Sequence, residues 1–211
     1  MGLAVAKALA SRGGWNIHLL DLNAERGNEA AKEVAIAVFH QTNVTDYNSL
    51  ASVFQKVWEA ERRLDFVFAN AGIVERFSFY ASHDTSKPPP PPDLTVVDVN
   101  LKSVINTSWL AQHYFRQSKD SENKNLVMTA SCGGLYPSPA SPSYSAAKFG
   151  VVGLMRSIAQ HYYKEDGVRV NAICPGLLLT EWGVRFGEEK IKMLQEKAAL
   201  KTEVISKICL L

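Results

Sequence analysis

Two residues open the chemical possibilities of this sequence: Tyr144 and Lys148, within YSAAK. Four positions apart, they share one face of a helix. A tyrosine at its ordinary pKa of about 10 is a poor base near neutrality. An ammonium one helical turn away favours the phenolate and lowers that pKa, which makes the pair a candidate proton-transfer device. Ser131 closes the apolar run NLVMTAS thirteen residues before Tyr144, and Asn100 stands in a long helical stretch upstream. Taken alone, Tyr144 and Lys148 read as an ordinary amphipathic helix pair sooner than as a catalytic one. The company of Ser131, Asn70 and Pro175-Gly176 shifts the reading towards chemistry.

These residues need a scaffold, and the hydrophobic pattern describes one. Leu3, Val5, Ala6 and Leu9 before Gly13-Gly14 predict a helix with a glycine stop, beginning abruptly at Met1-Gly2. The run NIHLLDLN (16–23) predicts a short strand ending in a carboxylate, followed by a polar helix through Glu33. IAVFHQTNV predicts a second strand, then Thr45 as helix cap, then an apolar stripe at Leu50, Val53, Phe54, Val57 and Trp58. LDFVFANAG (64–72) reads as a fully buried strand, and NLVMTAS (125–131) and VRVNAICPG (168–176) look alike. Short apolar strands alternating with helices imply an α/β fold with a doubly wound parallel sheet. Such sheets bind ligands beyond the carboxyl ends of their strands. Lys87 followed by Pro88 to Pro92 predicts a stiff extended loop, with a proline-rich ligand for an SH3-type domain as a minor alternative. No repeat or linker divides the chain, so residues 1–211 are expected to form a single domain.

Composition narrows the function. The chain has 211 residues, 46% hydrophobic and 21% charged, and a net charge of +2. That balance argues against disorder and against a general grip on nucleic acid or an anionic membrane. No apolar run is long enough to span a bilayer. Three widely spaced cysteines, Cys132, Cys174 and Cys209, form neither a disulfide framework nor a zinc set, which fits a cytoplasmic location. The five histidines share no ligand spacing, so no metal site is expected.

The set Asn100, Ser131, Tyr144 and Lys148 resembles that of the short-chain dehydrogenase/reductase family, and the likeness covers nearly the whole chain. Asn70-Ala71-Gly72 resembles the family's NAG motif, and Pro175-Gly176 with Thr180 its PG-x-x-x-T motif. The resemblance implies a Rossmann-like oxidoreductase that transfers hydride between a nicotinamide cofactor and an alcohol or ketone. Tyr144 would move the hydroxyl proton, and Lys148 would also hold the nicotinamide ribose. Ser131 would steady the substrate oxygen, and Asn100 would hold a water linking Lys148 to solvent. Gly2, Asp21, Asn43, Val44, Asn70, Ala71, Gly72, Tyr144, Lys148, Pro175, Gly176 and Thr180 form the implied cofactor site.

Asp21, nineteen residues after Gly2, stands where a ribose-binding carboxylate is expected, which favours NAD over NADP. A plain helix-capping role is its alternative. Asn43-Val44 replaces the family's usual Asp-Val, with the Asn43 carbonyl offered to adenine. Trp182 and Phe186 fall in the family's substrate loop, or in the core. Segments such as FANAGIVER look most like fungal members resembling NAD-dependent hydroxyprostaglandin dehydrogenases, although Ser141 replaces the glutamine those enzymes carry ten residues after the catalytic serine. An NADP-dependent ketoreductase of polyketide tailoring is the alternative enzyme. Family members pair through the helices bearing Asn100 and Tyr144, which implies a homodimer or homotetramer; Val104, Ile105, Trp109 and Leu110 suit that contact or a buried face.

The sequence departs from the family at both ends. Of the glycine-rich phosphate loop only Gly2 has a counterpart, and no strand precedes it. The absent strand would lie between the strands ending at Asp21 and Asn70, leaving unpaired edges there. KTEVISKICLL resembles the helix before a last strand that is also absent. The expectation is weak dinucleotide binding by this chain, with a non-catalytic Rossmann remnant as a third reading.

Overall fold

Glycines and strand-sized apolar runs divide the chain in the expected order. The computed structural model describes residues 1–119 and 121–176. Helix α1 (Gly2–Arg12) stops at Gly13 and Gly14, whose φ of 72° and 74° only glycine adopts cheaply. Strand β1 (Ile17–Asp21) follows, then α2 (Ala24–Glu33), β2 (Ala37–Gln41), α3 (Tyr47–Glu61) and β3 (Phe66–Ala69). After a long loop come α4 (Thr95–Val97), a π-turn over Asp98–Lys102 and α5 (Ser103–Gln117). Strand β4 (Lys124–Thr129), α6 (Pro142–Asp166) and β5 (Val168–Ile173) complete the described elements.

The helix starts show which side chains win the capping positions. Asn23 caps α2 by accepting from the Arg26 N–H. The cap of α3 is Asp46, which accepts from Asn48 and Ser49, and not the expected Thr45. Thr45 is drawn instead to the Asn43 side chain, to which its N–H and hydroxyl both donate. In the predicted stripe of α3, Leu50, Val53 and Phe54 are buried, while Val57 and Trp58 are half-buried.

Every pairing among the described strands is parallel. β1 pairs with β2, with Ile17 opposite Ala37; β3 pairs with β4, Phe66 opposite Asn125; β4 pairs with β5, Lys124 opposite Val168. Helices cross between the strands, which is the doubly wound arrangement. The described strands nevertheless form two sheets, β1-β2 and β3-β4-β5. Between β1 and β3 runs a cavity of about 1200 Å³, walled by both strands and by the inner sides of α1, α3 and α5. This is the place where the family resemblance puts a central strand. It also corrects the expectation of a fully buried strand at 64–72: only Ala69 of β3 is buried, because one edge of the strand faces the cavity.

The cavity splits the core. Ala6, Ile17 and Val34 form a small cluster with Leu3, Leu9, Trp15 and Leu19 around them. The larger cluster contains Leu50, Phe54, Val104, Phe115, Leu126, Met128, Val151 and Val168, all buried. Within it α5 and α6 are cross-linked. Tyr162 donates to the Ser108 carbonyl at 3.1 Å, and Asp166 accepts from Gln112 (2.9 Å) and Arg116 (2.7 Å). Val104 and Leu110 face this core, whereas Ile105 and Trp109 are exposed on the opposite side of α5, Trp109 by 66%. Pro88 to Pro92 lie in an exposed segment without regular structure, as expected. Across β1-β2, His18 and His40 stack with Nδ1 and Nε2 2.9 Å apart, and His18 Nε2 lies 3.1 Å from Glu61. Among the described residues no helix is long and apolar enough to cross a membrane.

Candidate active site

The sequence-predicted residues gather at the carboxyl ends of the strands. Asp21 ends β1, Asn43 and Val44 follow β2, and Asn70-Ala71-Gly72 follow β3. Ser131 follows β4, and Pro175-Gly176 follow β5. The last two are tied to the serine loop by the Cys132 N–H, which donates to the Pro175 carbonyl at 2.9 Å. Thr180, Trp182, Phe186, Cys209 and the segment KTEVISKICLL lie outside the described residues.

Tyr144 and Lys148 occupy the first turns of α6 and look back over the end of β4. Lys148 is buried, and its Nζ donates to the Thr129 carbonyl at 2.8 Å. The ammonium sits 5.8 Å from the centre of the Tyr144 ring. Gly134 permits this fit: a Cβ there would stand 2.6 Å from the Lys148 carbonyl oxygen, inside the backbone of α6. A Cβ at Gly133 would lie 3.4 Å from the Tyr144 ring and 3.5 Å from Ser131 Oγ, so serine and tyrosine converge on one point. A Cβ at Gly72 would likewise lie 3.2 Å from Asn100 Oδ1 and 3.6 Å from Lys148 Nζ. Asn100, Ser131, Tyr144 and Lys148 are thus brought together around two small glycine-lined spaces.

Asn100 is fully buried in the π-turn, an interruption common at functional sites because it re-aims side chains and frees backbone groups. Its amide clasps the loop after β3: Oδ1 accepts from the Ile73 N–H and Nδ2 donates to the Ile73 carbonyl, both at 2.8 Å. Each polar atom of the side chain thus makes one bond to Ile73, and Nδ2 keeps a second N–H. What the side chain does in this structure is hold Gly72 and Ile73 against the lysine.

The ionisation pattern differs from the sequence expectation. Burial raises the Tyr144 phenol above its usual pKa, with the Ser131 hydroxyl acting the other way. Burial also lowers Lys148 to about 8. In this structure desolvation of the phenol prevails, and the ammonium bonds to the Thr129 carbonyl. Unfolded lysine titrates near 10.4. Between about pH 8 and 10 the unfolded chain therefore holds more protons at this position, and the Lys148 contribution to stability rises with pH across that window. Urea midpoints measured at pH 7.5 and 9.5 should show the rise, and Lys148→Met should remove it.

Gly2, Asp21, Asn43, Val44 and Asn70-Ala71-Gly72 all line the cavity between β1 and β3; Ser131, Tyr144, Lys148, Pro175 and Gly176 do not. The expected cofactor residues and the expected reaction residues come together at Gly72, where a Cβ would reach Asn100 and Lys148. Asp21 is exposed and uses Oδ1 on the Asn23 N–H, leaving Oδ2 to accept from a ribose hydroxyl. The cap of α2 is Asn23 itself, and Asp21 holds the backbone N–H of that cap. The Asn43 side-chain oxygen accepts from both the N–H and the hydroxyl of Thr45. A Cβ at Gly2 would lie 3.2 Å from the Asn70 amide, whose oxygen accepts from Thr129 at 2.9 Å. An exposed carboxylate at the end of β1, backbone open at Gly2 and Gly72, and a lysine beyond them fit a dinucleotide laid across the strand ends.

Thr129, Ile73, Gly134 and Glu75 escaped sequence reasoning. Glu75 Oε2 accepts from the Tyr144 N–H at 2.9 Å. A carboxylate in an irregular loop 69 residues from its partner leaves no pattern in the sequence.

A doubly wound parallel fold with polar residues clustered beyond its strand ends has them where such sheets bind their ligands. The family model for short chain dehydrogenases matches residues 1–190, and the chain belongs to that family of oxidoreductases. It is 56% identical over 186 residues to the short-chain dehydrogenase/reductase prx7 of Penicillium rubens, covering 85% of this chain and 66% of that protein. It is 31% identical over 187 residues to human 15-hydroxyprostaglandin dehydrogenase (NAD(+)), covering 85% and 65% respectively. The crystal structure of gox2181 matches with a TM-score of 0.77 and 25% identity, covering 92% of this chain and 74% of that one. The chain thus spans just under two thirds of the length of these two sequence relatives.

Proposed function

We propose that this protein interconverts an alcohol and a carbonyl compound with a nicotinamide cofactor, NAD in preference to NADP. The observation that carries the reading is the convergence of Ser131, Tyr144, Lys148 and Asn100 beside the Gly72 loop. When bound, the cofactor supplies or accepts the hydride. The chain's own residues do the rest. Ser131 Oγ, which accepts from the Gly133 N–H at 3.1 Å, keeps its own proton to donate to the substrate oxygen. In reduction the protonated Tyr144 gives its phenolic proton to that oxygen; in oxidation the phenolate takes it back. Lys148, held by Thr129, provides the positive charge that stabilises the phenolate and stands ready for a ribose hydroxyl. Asn100 keeps the Gly72-Ile73 loop at the distance this requires.

The preference for NAD rests on the exposed Asp21 carboxylate, which accepts from a ribose 2′-hydroxyl and repels a 2′-phosphate. The human relative carries NAD(+) in its name, which supports the same choice. Initial rates with NADH and NADPH test it: NADH should be preferred, and Asp21→Ala should reduce the preference about tenfold or more, the worth of one charge-assisted hydrogen bond. Equal rates in the unaltered chain would refute the NAD assignment. The exposed Ile105 and Trp109 on α5 are our choice for a contact between copies of a homodimer, and a cytoplasmic setting is the matching environment.

A further inference from the structure

We propose that Glu75 is a positioning residue for Tyr144: reaching from the loop after β3, its carboxylate caps α6 and sets where the phenol stands. The assignment rests on the reading of Tyr144 as the proton-transfer residue. The first N–H groups of a helix have no partner within it, and the side chain of the capping residue usually accepts from the third helical residue. Here Ser141 is the capping residue, Pro142 the first helical residue and Tyr144 the third, yet Ser141 makes no side-chain bond. The Tyr144 N–H goes to Glu75 Oε2 at 2.9 Å instead. A carboxylate suits that place, because the helix N-terminus is electropositive and the bond is charge-assisted.

Capping alone does not explain the choice. Glu75 Oε1 is buried with no donor, an unfavourable placement that a cap by the Ser141 hydroxyl would avoid. What Glu75 adds is a connection between sites. Two residues before it, Ile73 is clasped through both backbone polar groups by Asn100. Three residues before it, Gly72 abuts Asn100 and Lys148. The segment from Asn70 to Glu75 therefore runs from the expected cofactor residues, past Asn100, to the backbone of Tyr144. Without the carboxylate the first turn of α6 loses its only link to that segment among the hydrogen bonds of the described residues.

Two variants and two readouts test the proposal. In Glu75→Ala, kcat for carbonyl reduction should fall about tenfold or more, since small misplacements of a reacting group are costly, while KM for the nicotinamide cofactor stays within about twofold. Glu75→Gln keeps an oxygen for the Tyr144 N–H and should recover most of the lost kcat. Unchanged kcat in Glu75→Ala, or a Gln variant no better than Ala, would overturn the proposal. The second readout needs no turnover. In protein labelled with ¹⁵N at its seven tyrosines, the Tyr144 amide is assigned by its loss in Tyr144→Phe. Its hydrogen exchange should speed up about tenfold or more in Glu75→Ala and stay slow in Glu75→Gln, with the other tyrosine amides unmoved. If the unaltered chain shows no hydride transfer, the proposed function fails. The amide measurement still decides on Glu75, because unchanged exchange in Glu75→Ala would remove the cap and the proposal with it.

Discussion

Tyr144→Phe should lower kcat for hydride transfer by about a thousandfold, the usual worth of a positioned proton donor. The substitution removes one oxygen and keeps the ring that packs beside Gly133 and under Lys148, so fold and cofactor contacts should persist. The phenol is held neutral by burial, with the Ser131 hydroxyl as its hydrogen-bonding neighbour. That is the state needed to give a proton to a carbonyl oxygen in the reductive direction. In the oxidative direction the raised phenol requires help from the lysine and the bound cofactor, so oxidation should favour higher pH than reduction. Measuring both directions in the unaltered chain and in Tyr144→Phe tests the assignment. A variant that retains more than about a tenth of the activity would show that another group moves the proton.

The second large effect concerns the two cores. Residues of α1, β1, α2 and β2 surround three buried side chains, Ala6, Ile17 and Val34, whereas the rest of the described chain shares a much larger cluster. β1 and β3 have no backbone bonds to each other, and a cavity of about 1200 Å³ lies between them. Stability follows buried apolar area, so the two parts should differ. In native-state hydrogen exchange, amides of β1 and β2 should open with a free energy about 2–4 kcal/mol below those of β4 and β5. Exchange that collapses to one common opening energy for all strands would show that the two cores behave as one cooperative unit. A loosely anchored β1 also bears on cofactor preference, because Asp21 stands at its end.

Much of the fold was legible because its signals are local. Gly13-Gly14 had to end a helix, the apolar stripe of α3 had to face inwards, and three apolar runs with no polar alternation had to be parallel strands. The site residues at strand ends were legible for the same reason, since strand position alone places them on one edge of the sheet. The misplaced cap has a different cause. Thr45 lost the start of α3 to Asp46, because the Asn43 side chain accepts from both its N–H and its hydroxyl. The residue type was right for the role, and a neighbour's competing hydrogen bond decided otherwise.

The sequence by itself determined the candidate reaction residues and their order along the chain, because Tyr144 and Lys148 need only a helical turn to share a face and Ser131 only a strand to precede it. Tertiary structure alone decided the ionisation of the site, since burial of Tyr144 and Lys148 depends on what α6 packs against. It alone decided that Glu75 holds the tyrosine, because a bond across 69 residues exists only once the loop after β3 and the start of α6 have been brought together.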